Sequence, residues 1–441
     1  MKIFIHVMDL VGPQNACIGL GQQLVQRGHQ VIFLVNENFL KKFQPYSNQF
    51  KILGLKPVAD EEPDENEKNL QPIQILINSF IRMGLFDPIK PIEKIHRMID
   101  SKFIRNLGAN AEAFEPQIRM LIEQEKPDIF LVDAKIMSPC IMNSSIPWVY
   151  VFCANPLGLF TDERLPPFSS DLPIDGDRKE WQEYRQILHQ KYFDKVVARQ
   201  REICEKFGYP APKDQVFFPR SPLLNIYQFP KELDYDDTIK LPEHYQRVDA
   251  FVRDDPEPFE LPDKIRKQMK PGDKLIFLSM GSMGSCNLEL MKRFVRVLSK
   301  TPYYYLVSMG PLYDQYELSD NMWGGPYVPQ TKILPLVDLV IFHGGNNTLT
   351  ETVYFGKPMI VIPLFYDQYN NAQRVQEKNF GRRLDQHQFT DEQLIDTIDK
   401  LINDNELCER LKRIGQRIRT SQAKDLACKR IEQLVKSSKQ N

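Results

Sequence analysis

The stretch Leu339–Gln368, LVIFHGGNNTLTETVYFGKPMIVIPLFYDQ, decides the fold that we predict for this chain. The four apolar residues Leu339 to Phe342 predict a buried strand, which passes through two glycines into a helix beginning at about Asn346 to Thr348. The apolar run Met359 to Ile362 then predicts a second strand. A strand, a helix and a strand in this order indicate a parallel sheet covered by helices.

The same alternation of strand-like and helical runs occurs in both halves of the 441-residue chain. Further strands are predicted at Ile3–Met8, Val31–Val35, Ile129–Val132, Val149–Phe152, Leu275–Ser279 and Tyr304–Val307. The periodicity is lost from Phe229 to Pro271, where prolines and charges dominate, as is typical of a segment between domains. We therefore expect an α/β protein with two facing Rossmann-like domains: an N-terminal domain at 1–245, a linker at 246–272 and a C-terminal domain at 273–422.

Composition and charge exclude several classes of protein. The formal net charge of −1 provides no attraction for nucleic acid or for an anionic membrane. The seven cysteines never form a C-x-x-C pattern, which indicates reduced thiols and excludes a disulfide framework or a zinc site. No signal peptide is recognisable, and the longest nearly apolar stretch, Ile146–Phe160, is too short to span a bilayer. We expect a soluble, cytoplasmic protein that binds neither nucleic acid nor membrane.

The glycine turn after the strand Leu339–Phe342 predicts an anion site at the start of the next helix. Glycines allow the backbone to approach a ligand, and the free N–H groups of the first helical turn favour negative charge. The polar residues expected to reach such a ligand are His343, Asn347, Thr348, Glu351, Asp367 and Gln368. Of these, the Glu351 carboxylate suits ribose hydroxyls, and the pair Asp367 and Gln368 suits the hydroxyls of a sugar.

These residues resemble the donor-site signature of the UDP-glycosyltransferases, inverting two-domain enzymes that glycosylate small lipophilic molecules. The signature H-x-G-x-N-[ST]-x-x-E is present as His343, Gly345, Asn347, Thr348 and Glu351, followed by the D-Q pair Asp367 and Gln368. Upstream, Pro329 and Gln330 match a P-Q pair, and Tyr327 stands where many members have a tryptophan that stacks on uracil. Phe277–Ser282, FLSMGS, resembles the phosphate-contacting turn, and Arg27–Phe33, RGHQVIF, resembles the end of the first helix and the second strand.

The resemblance implies a fold of the GT-B type and a UDP-sugar donor, without a metal. The final glutamine of the signature favours UDP-glucose. By the resemblance, Ser282, His343, Asn347 and Thr348 contact the diphosphate, Gln330 and Glu351 the ribose, Tyr327 the uracil, and Asp367 and Gln368 the sugar. A helix within 423–441 would pack back on the first domain, as in similar enzymes.

The resemblance also implies the class of acceptor. We expect a small lipophilic molecule such as a phenol or a flavonoid, bound mainly by the first domain of a monomer that acts in the detoxification of xenobiotics. Candidate pocket residues are Phe80, Met83, Phe86, Phe152 and Phe160, for which a place in the ordinary core is an equal alternative.

One position departs from the family pattern. In the family, the loop after the first strand carries the catalytic base, a histidine in a G-H-x-N context, paired with an aspartate at the end of a later strand. Here Gly12–Asn15, GPQN, places Pro13 where the histidine is expected, whereas the aspartate is present as Asp133. His29 lies at the far end of the predicted helix, roughly 20 Å away at about 1.5 Å per residue, and cannot substitute.

Three alternatives follow from the missing histidine. Asp133 can accept the acceptor's proton directly or through a water, most readily from phenols, whose pKa of about 10 resembles that of tyrosine. A nearby group can substitute, such as Asp9 at the end of the first strand or His6, which strand geometry places more simply in the core. The third alternative is a protein that binds UDP-sugar with little or no transfer. The D-x-D pattern Asp175–Asp177 lies in a loop, and we do not expect it to hold a metal.

Overall fold

The computed structural model describes residues 1–58, 72–99, 102–212 and 217–439, which contain two parallel β-sheets. The first sheet has seven strands: β1 (Lys2–Val7), β2 (Gln30–Asn36), β3 (Lys51–Leu55), β4 (Ile129–Asp133), β5 (Trp148–Phe152), β6 (Asn225–Gln228) and β7 (Tyr245–Val248). Their order is β3-β2-β1-β4-β5-β6-β7. Ile3 and Ile5 of β1 lie in one core cluster and Phe4 in another, so both faces of this sheet are buried.

The helices of the first domain cover these faces. They are α1 (Val11–Gln26), α2 (Leu40–Phe43), α3 (Pro72–Arg82), α4 (Pro91–Ile99), α5 (Lys102–Glu125), α6 (Pro139–Met142), α7 (Arg178–Leu188) and α8 (Asp194–Lys206). A π-helical turn, His189–Phe193, joins α7 to α8, so that the charged segment from Asp177 to Phe207 is nearly continuous helix. The Asp177 carboxylate accepts a hydrogen bond from the Lys179 N–H and caps α7.

The second sheet has six strands in the order β10-β9-β8-β11-β12-β13. They are β8 (Leu275–Ser279), β9 (Tyr304–Ser308), β10 (Met322–Gly325), β11 (Leu339–Phe342), β12 (Met359–Val361) and β13 (Gly381–Arg383). The helices are α9 (Asp263–Arg266), α10 (Gly281–Gly284), α11 (Leu288–Leu298), α12 (Gln330–Ile333), α13 (Asn346–Tyr354), α14 (Gln368–Glu377), α15 (Asp391–Ile402), α16 (Asn405–Thr420) and α17 (Ala423–Ser438). All neighbouring strands in both sheets are parallel, which confirms the expected two-domain α/β class.

Strands β6 and β7 were not predicted from the sequence. Their sequences, NIYQ and YQRV, contain too many polar residues for an apolar run, yet β6 pairs with β5 and β7 with β6. Tyr245 is the first residue of β7, so the boundary expected at residue 245 falls at the start of this strand.

Helix α17 crosses from the second domain back to the first. Its residues Ala427, Cys428, Ile431 and Val435 are buried in the same core cluster as Ile3 and Ile5 of β1. At its surface, the Glu432 carboxylate lies 2.8 Å from Arg27 Nε and 2.9 Å from His29 Nε2, both from the segment just after α1.

The carboxyl ends of the two sheets face each other across the domain interface. The Asn155 N–H, after β5, donates to Asp367 Oδ2, after β12, at 3.0 Å. Arg374 of α14 donates from Nε to the Leu233 carbonyl at 2.7 Å. Residues that follow strands of either sheet therefore meet in one cleft.

Among the described residues, no helix combines the length and the apolar composition of a membrane span.

Candidate functional site

The start of α13 has the geometry of an anion site. The chain leaves β11 through His343, turns at Gly344 with φ of +90°, and enters α13 after Gly345, which provides no side-chain cap. A Cβ atom on Gly344 would lie 2.9 Å from the Gln368 carbonyl oxygen, so the turn requires glycine. The first N–H groups of α13 consequently keep their donors for a ligand at the positive end of the helix dipole.

His343 lies beside the turn that follows β8. Gly281 has φ of +72°, and a Cβ atom there would lie 2.6 Å from Cε1 of the His343 ring. The imidazole is enclosed by this turn, and burial lowers the pKa of His343 to about 4. A neutral imidazole therefore faces the site at pH 7, and the half-buried Ser282 of α10 follows Gly281 in the chain.

Glu351 is the centre of a buried polar network one turn into α13. Its carboxylate accepts from Asn347 Nδ2 at 2.9 Å and from Gln330 Nε2, and it pairs with Arg253 Nη1 at 3.0 Å. Gln330 Nε2 also lies 3.3 Å from Thr348 Oγ1. The structure thus brings together Gln330, Asn347, Thr348 and Glu351, four of the residues that the sequence predicts as contacts of the donor. Arg253 was missed because it lies in the segment without periodicity.

The side chains of Asp367 and Gln368, which follow β12, point in different directions. Asp367 faces the first domain through its bond to the Asn155 N–H, and burial raises the pKa of its carboxyl group to about 6. Gln368 turns inward, because its Oε1 accepts from the N–H groups of Leu364 and Phe365 at 3.0 and 3.3 Å. Only the amide nitrogen of Gln368 then remains to reach a sugar. Tyr327 is 64% exposed, so its ring is free to stack on a planar group.

Asp133 lies at the end of β4, beside Cys17 of α1. It is 1% exposed, and its Oδ2 has no hydrogen-bond partner among the described residues. The carboxylate and the thiols of Cys17 and Cys153 lie within 4.8 Å of one another. Burial raises the pKa of Asp133 to about 7, so the group can both take and release a proton near neutrality.

Pro13 fits the first turn of α1, which begins at Val11. A proline is tolerated there because the N–H that it lacks has no partner within the helix. A Cβ atom on the neighbouring Gly12 would lie 3.7 Å from Asn347 Cβ, so this turn faces the start of α13. The adjacent Gln14 is fully buried, and both of its amide atoms lack partners within the described residues.

The two substitutes considered for the base are held in other contacts. Asp9 Oδ2 accepts from Asn36 Nδ2 at 2.8 Å and from Asn110 Nδ2 at 3.3 Å, and burial raises its pKa. His6 is buried on Phe114, and desolvation lowers its pKa to about 4. His6 is therefore a packed core histidine, whereas Asp9 is an anchored carboxyl group at the edge of the cleft.

Lys135, which the sequence analysis did not single out, is buried two residues after Asp133. Its Nζ donates to the Tyr192 hydroxyl at 3.1 Å and lies 4.3 Å from the centroid of the Tyr366 ring. Phe217 and Phe218 complete the enclosure at 5.6 and 5.9 Å. A lysine two residues after the aspartate in FLVDAKIM was the available signal.

The expected pocket residues lie in two places. Phe80 and Phe86 pack against Phe365 of the second domain, with ring centroids 5.9 and 6.2 Å apart, and so border the interface. Met83 is partly buried beside the same core. Phe152 packs on Phe218 at 4.8 Å, close to the enclosure of Lys135. Phe160 instead packs on Tyr227 at 5.4 Å, inside the first domain.

Comparisons with known proteins cover both domains. Residues 287–428 match the family profile described as the glycosyltransferase family 28 C-terminal domain. The chain is 22% identical to the NDP-glycosyltransferase YjiC of Bacillus subtilis (strain 168), over 97% of this chain and 95% of that protein. It is 28% identical to the uncharacterized UDP-glucosyltransferase YojK of the same organism, but that match spans 38% of this chain and 42% of YojK.

Solved structures share the whole architecture. The glycotransferase of kitacinnamycin aligns with a TM-score of 0.68 at 19% identity, and the match covers 98% of each chain. The glycosyltransferase VinC in complex with DTDP aligns with a TM-score of 0.64 at 15% identity, over 100% of each chain. At these identities the likeness concerns the fold.

Proposed function

Because the chain belongs to the GT-B glycosyltransferases, we propose that it transfers glucose from UDP-glucose, with inversion, to a hydroxyl group of a small lipophilic acceptor such as a phenol or a flavonoid. The observation that carries the proposal is the uncapped start of α13 behind the Gly344 turn, with His343 on one side and the Glu351 network on the other. This arrangement suits a diphosphate joined to a ribose.

Each part of UDP-glucose has a proposed contact. The N–H groups at the start of α13 bind the diphosphate, together with His343, Ser282 and Thr348. Glu351 and Gln330 bind the ribose hydroxyls in place of the hydrogen bond that now joins them. Tyr327 stacks on the uracil. Asp367 and the amide nitrogen of Gln368 bind the sugar; no metal is required, since the helix dipole stabilises charge on the leaving diphosphate.

The transfer is a single displacement with Asp133 as the base. The acceptor hydroxyl gives its proton to the Asp133 carboxylate as its oxygen forms a bond to the anomeric carbon, and the bond from that carbon to the diphosphate oxygen breaks. UDP leaves with the electron pair. Asp133 suits this role because burial raises its pKa to about 7, close to a neutral working pH.

A second candidate function is UDP-sugar binding with little or no transfer. Pro13 supports it, since the turn that faces Asn347 through Gly12 carries no titratable group. A positioned base typically contributes about 10²- to 10⁴-fold, so its absence can reduce transfer to a trace. Cytoplasmic location, a monomeric state and a role in detoxification stay predictions from the sequence.

The test is mass spectrometry of the purified protein incubated with UDP-glucose and a panel of phenols, alcohols, amines and thiols. We expect a hexose on phenols before aliphatic alcohols, a β-configured product by NMR, and no loss of rate with EDTA. His343→Ala should weaken UDP binding, measured by calorimetry, and unchanged affinity would contradict the donor site. UDP-glucose binding without any product would favour the second candidate.

A further inference from the structure

Lys135 is a buried lysine without a matching ion pair, and burial lowers the pKa of its ammonium group to about 7, so that it carries its charge mainly below neutral pH. It is 9% exposed, and among the described residues no carboxylate oxygen lies within ion-pairing distance of its Nζ. Burying an ammonium group is costly unless it is paired, and one hydroxyl oxygen satisfies only one of its three N–H donors. Four aromatic rings supply part of the missing stabilisation through cation–π contacts: Tyr192, Phe217, Phe218 and Tyr366.

The position of this cation relates it to both sides of the cleft. Asp133 precedes it by two residues at the end of β4, and Asp367 directly follows Tyr366, whose ring lies against the ammonium. The charges of Asp367 and Asp133 both act on Lys135. The proposed base, the proposed sugar ligand and one buried lysine therefore form a single electrostatic unit across the domain interface.

We propose that Lys135 is the positioning residue of the catalytic centre, supplying the positive charge that keeps Asp133 ionised and ready to accept the acceptor's proton. The inference rests on the proposed function and adds a residue to it. In the resembling enzymes the aspartate has a histidine as its partner, and Pro13 removes that partner here. Lys135 would thus take over the electrostatic part of the imidazole's role, while Asp133 takes over the proton transfer.

The surrounding titratable groups determine in which direction the loss of Lys135 shifts the pKa of Asp133. Those facing Lys135 or Asp133 are Tyr192 of the π-helical turn, Tyr366 and Asp367 before α14, Tyr150 of β5, Cys153 after β5 and Cys17 of α1. Two of these groups favour the ionised form of Asp133: Cys153 through a hydrogen bond and Lys135 through its charge. Removing the charge of Lys135 raises the pKa of the carboxyl group, so a larger fraction of Asp133 is protonated at neutral pH.

The test compares Lys135→Met, Lys135→Gln and Lys135→Arg over a range of pH, with UDP-glucose and the phenols of the panel. Methionine keeps the packing without charge, glutamine keeps a donor for Tyr192, and arginine keeps the charge. For Met and Gln we expect the acid limb of kcat/KM to move to higher pH by one unit or more, a loss of about tenfold at neutral pH that is recovered at alkaline pH. Lys135→Arg should keep the acid limb of the wild type.

Two controls separate this effect from packing. Lys191→Met, an exposed lysine next to Tyr192, should leave the profile unchanged. A loss of equal size at every pH in Lys135→Met and Lys135→Gln would show a packing role and overturn the proposal. Loss at every pH in all three variants, including Lys135→Arg, would show that the site requires the lysine itself and not its charge, and would overturn the proposal as well.

A readout without turnover distinguishes failure of this inference from failure of the proposed function. The carboxyl band of Asp133, identified by its loss in Asp133→Asn, can be titrated by infrared difference spectroscopy. We expect the midpoint to rise in Lys135→Met and not in Lys135→Arg. An unmoved midpoint overturns the inference even if transfer is observed, whereas a shifted midpoint in a protein that transfers nothing rejects the proposed function alone.

Discussion

The carboxyl ends of the two sheets face each other across the cleft and are built differently. On the second sheet, the turn after β11, the His343 ring and Glu351 with its partner Asn347 lie together, and all belong to one sequence motif. Both sides carry buried polar atoms without partners in the described residues: on Asp133 and Gln14 at the first sheet, and on His343 and Asn347 at the second. The donor side is determined by backbone geometry, while the acceptor side depends on a few buried side chains from distant segments.

This difference indicates where variation is tolerated. A diphosphate needs glycine turns and free N–H groups, so few sequences satisfy it. A proton acceptor needs only a group of suitable pKa at the right distance, and a different element can supply it. We therefore expect substitutions on the first sheet to change transfer and those on the second to change UDP affinity.

The largest effect is expected for Asp133→Asn. The amide cannot accept the proton, so transfer to phenols should fall by about 10²- to 10⁴-fold with UDP affinity unchanged. In the wild type, transfer should decline as pH falls below about 7, where Asp133 becomes protonated. Asp175→Asn, at an exposed aspartate, is the control for both measurements. An Asp133→Asn enzyme with wild-type rates would contradict the division between the two sides.

The next effect concerns Pro13→His, which places an imidazole where the family pattern has one. The rate should rise by up to about 10²-fold, most for aliphatic alcohols, because a base of suitable pKa then reaches the acceptor. Pro13→Ala serves as control, since it removes the ring without adding a base. If Pro13→Ala matches Pro13→His, the change comes from the shape of the loop.

A smaller effect is expected for Gly281→Ala on the donor side. The positive φ and the contact with His343 both disfavour a Cβ atom, and the imidazole must move. UDP affinity measured by calorimetry should fall by about tenfold, which corresponds to about 1.4 kcal/mol. Gly325→Ala is the matched control, because its added Cβ would meet only the Tyr327 carbonyl oxygen at 3.6 Å. Equal affinities in the two variants would show that His343 contributes nothing to UDP binding.

The smallest effect is expected outside both sides, at Glu432→Gln. The ion pairs with Arg27 and His29 are partly exposed, so the free energy of unfolding should fall by about 1 kcal/mol or less. Denaturant unfolding measures this, and kcat for phenols should stay unchanged. A change in kcat would mean that α17 influences the cleft, and transfer would then depend on more than the two sheet ends.

The sequence predicted the parts of the molecule that repeat a local pattern. The apolar runs of β1, β4, β8 and β11 and the helix after His343 coincide with the structure, because strand burial and glycine turns leave local signals. The same holds for the meeting of Gln330 with Glu351, which the resemblance implied.

The features that the sequence did not predict depend on tertiary contacts. Strands β6 and β7 have polar sequences and form because neighbouring strands offer hydrogen bonds. Arg253 lies in a segment without a motif and Lys135 belongs to no motif, although it follows Asp133 closely; only the fold brings one to Glu351 and the other to the ring of Tyr366. The inward turn of Gln368 likewise follows from backbone groups that a motif does not describe.

Helix α17 has a consequence for how the protein is made. The core of the first domain includes Ile431 and Val435, and the Arg27–Glu432 contact joins residues 405 positions apart. During synthesis on a ribosome, the first domain cannot complete this core until α17 has emerged. Until then, the apolar surface that α17 covers stays exposed on the nascent N-terminal half. We therefore expect chaperones to bind this surface during translation.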